Sequence, residues 1–240
     1  MTKNPDRKIR AITLDLDDTL WPIAPTITRA EQRAQEWLEQ HAVKVARAWT
    51  QERLRDLKME LYSTRPELKV DLSHIRRLAL QHAFADCGFN IEDSAQLIEN
   101  ALRVFMVARN EVDFYPDVLA SLERLAQRYP IVAVTNGNAD IHTIGIGHLF
   151  KATVAGHEHG AIKPEAAIFH IACRILDCSP DEVVHVGDDP DLDVRGARNA
   201  GLHAVWVNRD NRQWEGDDHP PAIVTLEKLE HWLEGFDVPC

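Results

Sequence analysis

Nothing in this 240-residue chain approaches the roughly 18 consecutive apolar residues that a membrane-spanning helix requires, and no apolar signal core follows the opening stretch MTKNPDRKIR. A cytoplasmic location is the expectation. Positive charge is also short: 27 Lys and Arg stand against 38 Asp and Glu, a net charge of -11, with no basic run to offset it. That balance favours solubility and opposes binding to nucleic-acid phosphates, so neither a nucleic-acid nor a membrane partner is expected. Cysteine is sparse. Cys87, Cys173, Cys178 and Cys240 fall at spacings that match neither a zinc pair nor a redox motif, which leaves free thiols as the expected state. His157 and His159 form an HxH, but no further ligands follow at a recognisable spacing, so both read as solvated loop histidines. Internal repeats and low-complexity segments are absent. What remains, 45% hydrophobic and 27% charged, is the composition of a globular protein able to bury a substantial core.

The chain alternates between buried strands and helices, with one interruption. Ile12, Thr13 and Leu14 make a short apolar strand that runs into an acidic turn, Asp15, Leu16, Asp17, Asp18, Thr19. Pro22 and Pro25 then predict a tight non-helical connection in which Trp21 and Ile23 either pack inward or line a pocket. Four amphipathic helices are predicted next: one opened by a capping box of Thr28 and Glu31, one over 43–62, one over 72–87 ending at Gly88, and one over 92–109. From Pro116 the alternation resumes, with compact strands at 131–135, 152–156, 183–187 and 203–207 and helices between and after them. The fold class is therefore α/β, a Rossmann-like parallel sheet, with residues 1–22 and 112–240 as its core and 23–111 as an inserted four-helix bundle.

In such a sheet ligands bind where strands end. Strand one ends in Asp15 and Asp17, strand two in Thr135, Asn136 and Gly137, and the fourth strand in Gly187, Asp188 and Asp189; Lys163 precedes Pro164 in the loop after strand three. Carboxylates so close repel one another in a water-poor crevice unless a cation compensates. Asp15 and Asp188 suit a hard cation such as Mg²⁺, which also takes oxygen from a substrate phosphate. The Thr135 hydroxyl and the backbone N–H groups of Asn136 and Gly137 can hold phosphoryl oxygens, and Lys163 adds positive charge where the phosphoryl group is most negative. Each motif alone has a plain counterpart as a turn, a helix start or a solvated loop. Their occurrence in order, each at a strand or helix boundary, argues for one site.

DLDDT (Asp15 to Thr19), TNG (Thr135 to Gly137), KP (Lys163, Pro164) and GDDPDLD (Gly187 to Asp193) resemble the motif signature of the haloacid dehalogenase-like hydrolases, over essentially the whole chain. The resemblance implies that Asp15 is a nucleophile forming an aspartyl-phosphate and that Asp17 is general acid and then base. It implies Mg²⁺ on Asp15, the Asp17 carbonyl and Asp188, with Asp189 and Asp193 in support. It implies phosphate contacts at Leu16, Asp17, Thr19, Thr135, Asn136, Gly137 and Lys163, and a cap formed by the helical insertion, where substrate selection is expected. Many relatives carry Asn where this chain has Leu192. Relatives that break carbon–halogen bonds lack an Asp at the position of Asp17, so the pattern implies phosphate monoesters of small metabolites. TNGNAD, AGHEHGAIKP and HVGDDPDLDVRGARNAG are further similar to bacterial phosphatases of flavin mononucleotide and of phosphorylated ribityl-aminouracil, with broad action on sugar phosphates and nucleotides as the alternative.

A flavin ring wants an apolar face, and Trp21, Trp37, Trp49 and Phe105 are available, although bundle core is the simpler role for the last three. Arg29, Arg33, Arg76 and Arg77 could guide anions, against a default of solvated helix faces. A signalling receiver also uses clustered Asp, Thr and Lys, but its phosphate acceptor follows a middle strand and it lacks so large an insertion. A catalytically idle scaffold would have lost an essential carboxylate, and none is missing. The expected assembly is a monomer or weak homodimer.

Overall fold

The computed structural model describes residues 9–236. It contains a six-stranded sheet built from β1 (Ala11–Leu14), β2 (Ile131–Thr135), β3 (Ala152–Ala155), β4 (Val183–Gly187), β5 (His203–Val207) and β6 (Ala222–Ile223), in the order β3-β2-β1-β4-β5-β6. Every adjacent pair is parallel. β1 lies inside the sheet, with Leu14 level with Ala133 of β2 and with Val186 of β4. That register sets the exits of three strands side by side on one rim.

The helices are α1 (Ile23–His41), α2 (Val43–Ala48), α3 (Gln51–Thr64), α4 (Leu72–Asp86), α5 (Ile91–Arg109), α6 (Val118–Arg128), α7 (Ile141–Ile144), α8 (Gly156–His159), α9 (Ala166–Leu176), α10 (Gly196–Asn199) and α11 (Glu227–Glu234). The chain divides into two compact units: Ile23–Asp113, and the rest, which runs up to Pro22 and resumes at Phe114.

In the α/β unit, β1, β2 and β4 are buried along their whole length, as strands covered on both faces must be. Val132 and Val134 meet Ile168, Phe169, Ala172 and Leu176 of α9 in one cluster. Sealing each large apolar side chain there contributes about 1.5–3 kcal/mol. Ile131 and Ala133 point to the other face by the two-residue period of a strand.

The helical unit packs α1 against α5, where Ala30 and Ala108 are fully buried beside Phe105 and allow close approach. Leu38, Val45, Trp49, Leu80, Phe84 and Ile98 form its other cluster. No helix among the described residues is long and apolar enough to cross a membrane.

Local details depart from the sequence reading. The connection after the acidic turn is not a loop: α1 begins at Ile23 with Pro25 in its first turn, where the missing N–H has no intrahelical acceptor anyway. The capping box at Thr28 does not form, because the Thr28 hydroxyl donates to the Ala24 carbonyl inside the helix. The helix expected over 43–62 is broken after Ala48, since Thr50 accepts from the Arg53 N–H and starts a new helix. Between β4 and β5, where the strand–helix alternation predicts one helix, the chain forms a π-helical stretch, Pro190–Arg195, followed by α10. The two-residue β6 was too short and exposed to announce itself.

Candidate active site

The rim of β1, β2 and β4 carries the polar cluster. The Asp15 N–H continues the ladder by donating to Val186 O at 2.9 Å, which delivers the Asp15 carboxyl beside the exit of β4. Lys163, buried, reaches into the cluster from the loop after α8, its Nζ donating to Asp15 Oδ1 at 2.5 Å and Asp193 Oδ1 at 2.6 Å. The Thr19 hydroxyl lies 3.3 Å from Asp15 Oδ2 and 3.1 Å from Asp188 Oδ1. Thus Asp15, Thr19, Lys163, Asp188 and Asp193, 178 positions apart at the extremes of the sequence, form one connected network.

Asp193 is saturated by protein donors. Its Oδ1 takes Lys163 and lies 3.0 Å from His185 Nε2, and its Oδ2 takes the Asp189 N–H at 2.9 Å. His185 is fully buried, with Nδ1 2.9 Å from the Thr13 hydroxyl. Burial holds its imidazole below the ordinary value, against the pull of Asp193. The neutral ring consistent with these neighbours donates from Nε2 and accepts at Nδ1. Gly187 makes room for this arrangement: a Cβ there would stand 2.3 Å from Asp193 Cγ.

Electrostatics follow from packing. Burial pushes the Asp15 carboxyl well above its usual range, with Asp193 and Asp188 adding to the push and Lys163 opposing it. Burial likewise raises Asp188, to about 7, with repulsion from Asp193 and Asp18. For Asp193 burial is outweighed by Lys163 and His185, and the carboxyl sits below the usual carboxylate range. Lys163 is raised despite burial, because Asp15 and Asp193 hold its proton.

A divalent cation fits this set. Carboxylate oxygens of Asp15, Asp188 and Asp193 lie within 4.8 Å of one another, and the excess negative charge of the buried group is what a cation relieves. Since the oxygens of Asp193 are committed to Lys163, His185 and Asp189, Asp15 and Asp188 are the side chains with oxygen to offer.

The other expected residues fall as follows. Leu16 is buried, and its carbonyl accepts the Leu20 N–H. Asp17 Oδ1 accepts the Trp21 indole N–H at 2.9 Å. Thr135 is buried beside the rim, but its Oγ takes the Gly137 N–H at 2.9 Å, so that N–H is engaged within the turn. Asn136 clamps two loops, donating to Lys163 O at 2.9 Å and accepting Lys163 N–H at 2.7 Å. Asp189 Oδ1 caps the helical stretch after it through the N–H groups of Asp191 and Leu192.

Other participants were not foreseen. Arg209 pairs with both oxygens of Asp117 at 2.8 and 3.1 Å, donates to Thr19 O at 3.1 Å and lies over the Tyr115 ring. Arg212 and the Trp206 indole both donate to Asp188 O, at 2.5 and 2.8 Å. His185, a polar residue in an apolar strand, was the one visible signal among these. In the helical unit, Trp49 and Phe105 are buried in the bundle and Trp37 stacks on His41. Arg29 and Arg33 pair with Asp113 and Glu111, Arg77 with Glu99, and Arg76 lies over Phe105. His157 and His159 are exposed on α8.

A parallel α/β sheet with an inserted helical unit and a buried carboxylate held by a lysine at its rim places the chain in the Rossmann-like class of α/β proteins. Residues 9–201 match the haloacid dehalogenase-like hydrolase family, and the chain belongs to it. It is 31% identical, over 86% of its length and 87% of the relative's, to the 5-amino-6-(5-phospho-D-ribitylamino)uracil phosphatase YigB of Escherichia coli. Among solved structures it matches a 2-haloacid dehalogenase from Pseudomonas syringae at 34% identity and a TM-score of 0.89, covering 95% of this chain and 99% of that one. A family phosphatase from Thermococcus onnurineus matches at 25% identity and a TM-score of 0.66, covering 94% and 98%.

Proposed function

We propose that the protein hydrolyses phosphate monoesters of small metabolites through an aspartyl-phosphate on Asp15, with Mg²⁺ as cofactor. The observation that carries this reading is Asp17, a second carboxyl on the same turn as the nucleophile. An ester oxygen leaves poorly unless it is protonated, whereas a halide needs no proton. An Asp15 oxygen attacks phosphorus while the bond to the ester oxygen breaks, and Asp17 gives that oxygen its proton. Asp17, now ionised, takes a proton from water as the water attacks the phosphoryl group, and phosphate departs with the Asp15 carboxylate restored. Lys163 holds Asp15 in place and offsets negative charge. When bound at Asp15 and Asp188, with the Asp17 carbonyl, Mg²⁺ would neutralise charge between the attacking carboxylate and the phosphate.

Similarity to YigB supports 5-amino-6-(5-phospho-D-ribitylamino)uracil, and beside it flavin mononucleotide, as substrates to try first, with sugar phosphates and nucleotides as the broader alternative. The dehalogenase neighbour supports a second reading, hydrolysis of a carbon–halogen bond by the same Asp15. Incubation with p-nitrophenyl phosphate, with Mg²⁺ and then with EDTA, tests the first reading. Turnover that requires both metal and Asp15, lost in Asp15→Asn, is expected. Full activity in Asp15→Asn would remove the covalent mechanism. Halide release from 2-chloropropionate without ester turnover would favour the second reading, and no turnover of any ester or haloacid would favour a binding or scaffold role.

A further inference from the structure

The turn after β1 folds back on itself. Asp18 adopts a left-handed backbone (φ 59°), Leu20 N–H donates to Leu16 O at 2.8 Å, and Asp18 N–H donates to Trp21 O at 2.8 Å, so that Asp17 and Trp21 pair as an isolated bridge. The pairing lays the Trp21 indole alongside the Asp17 carboxyl, with Nε1 2.9 Å from Oδ1. Trp21 has no freedom to leave. It is fully buried, its ring meets Phe114 edge to face at 5.6 Å, and the carbonyl of Leu20 before it is held by Tyr115 N–H at 3.0 Å.

We infer that Trp21 is a positioning residue for Asp17, its indole N–H fixing the rotation of the carboxyl and thereby deciding which oxygen carries the catalytic proton. The inference rests on the phosphatase reading above. Rotation of a carboxyl about its last bond is intrinsically soft. An indole N–H is a donor only, so the oxygen it faces is always an acceptor. In the protonated acid the hydrogen therefore sits on Oδ2. From there it passes to the leaving ester oxygen as the P–O bond breaks, and Oδ2 then takes a proton from the attacking water. The Trp21 N–H keeps its own proton throughout, and its bond strengthens when Asp17 becomes an anion.

The dependence of kcat/KM on the leaving group provides the test, because an alkyl ester needs general-acid help far more than a p-nitrophenyl ester. In Trp21→Phe, kcat/KM is expected to fall for both, and about tenfold further for glycerol 3-phosphate than for p-nitrophenyl phosphate. Truncating a buried tryptophan can compromise folding, so a second variant replaces Trp21 with 3-benzothienylalanine, which keeps the bicyclic shape and lacks the N–H. It should show the same added selectivity. Phe114→Leu, which loosens the packing and leaves the N–H, should slow both esters in equal proportion. In an Asp17→Ala background the replacement at position 21 should add no selectivity. Equal losses on the two esters in the benzothienyl variant, with normal turnover by the unaltered protein, would overturn the inference alone. Absence of ester turnover by the unaltered protein would overturn the phosphatase reading and this inference with it.

Discussion

Each of the two units holds a cluster of charged side chains, and the clusters are balanced in opposite senses. At the sheet rim Asp15 and Asp193 share the buried Lys163, their side chains 8%, 1% and 4% exposed, while the third carboxylate, Asp188, is 21% exposed and lies 3.8 Å from Arg212. In the helical unit one carboxylate, Glu31, takes Lys58, Arg55 and Gln51, and there Lys58 is 18% and Arg55 51% exposed. The first cluster has more carboxylates than cations and buries Asp15 and Asp193 almost completely, a balance that a bound cation would relieve. The second has cation to spare and water at hand. Burial works against the Glu31 carboxylate, but its donors hold it below the usual range, while burial lowers Lys58 against the pull of Glu31. Similar chemistry thus yields an acid-rich, largely buried cluster at the sheet rim and a more exposed strut in the helical unit.

Neutralising the charge at the centre of each cluster should separate them most sharply. Lys163→Met strands Asp15 and Asp193, and a loss of about 3–5 kcal/mol in chemical denaturation is expected, together with loss of turnover. An unchanged denaturation midpoint would place the cluster in water. Gly187→Ala should come next, at about 1–3 kcal/mol, because the added methyl collides with the Asp193 carboxyl that holds Lys163. Its activity should fall more than its stability, read by kcat beside thermal unfolding. In the helical unit Glu31→Gln should cost about 1 kcal/mol and leave kcat within twofold, since an amide still accepts from Lys58. A large loss of kcat there would erase the contrast.

The smallest effect is expected at the surface. Glu182 sits low, at about 2, through the Ser179 N–H first and then Arg10 and the Ser179 hydroxyl. A depressed carboxyl stabilises the fold above its unfolded value near 4.5 and loses that contribution as pH falls toward 2. Glu182→Gln should therefore lower stability slightly at neutrality and flatten part of the acid limb of a stability curve over that window, the two proteins converging as pH falls toward 2.

How far the chain could be read in advance depended on the range of the interactions involved. The buried strands at 131–135 and 183–187 were legible because a strand covered on both faces must be apolar throughout. The four polar motifs were legible because a parallel topology brings strand exits to one side. The start of α1 was not, since two prolines read as a loop unless one knows that the first helical turn tolerates them. Nor was the use of the Gly137 N–H by Thr135 instead of a ligand, or the role of Arg209, which draws Asp117, Thr19 and Tyr115 together from distant segments.

Local pattern was thus enough to establish an α/β sheet, an inserted run of amphipathic helices and a set of carboxylates, threonine and lysine waiting at the ends of strands. Hydrophobic periodicity and turn chemistry act over a few residues, and the chain writes them openly. Which carboxylate is saturated and which is left to meet a cation, and which oxygen of Asp17 faces the Trp21 indole, were settled only by the folded arrangement. Those outcomes depend on ångström distances between groups far apart in sequence, and on burial that no single segment controls.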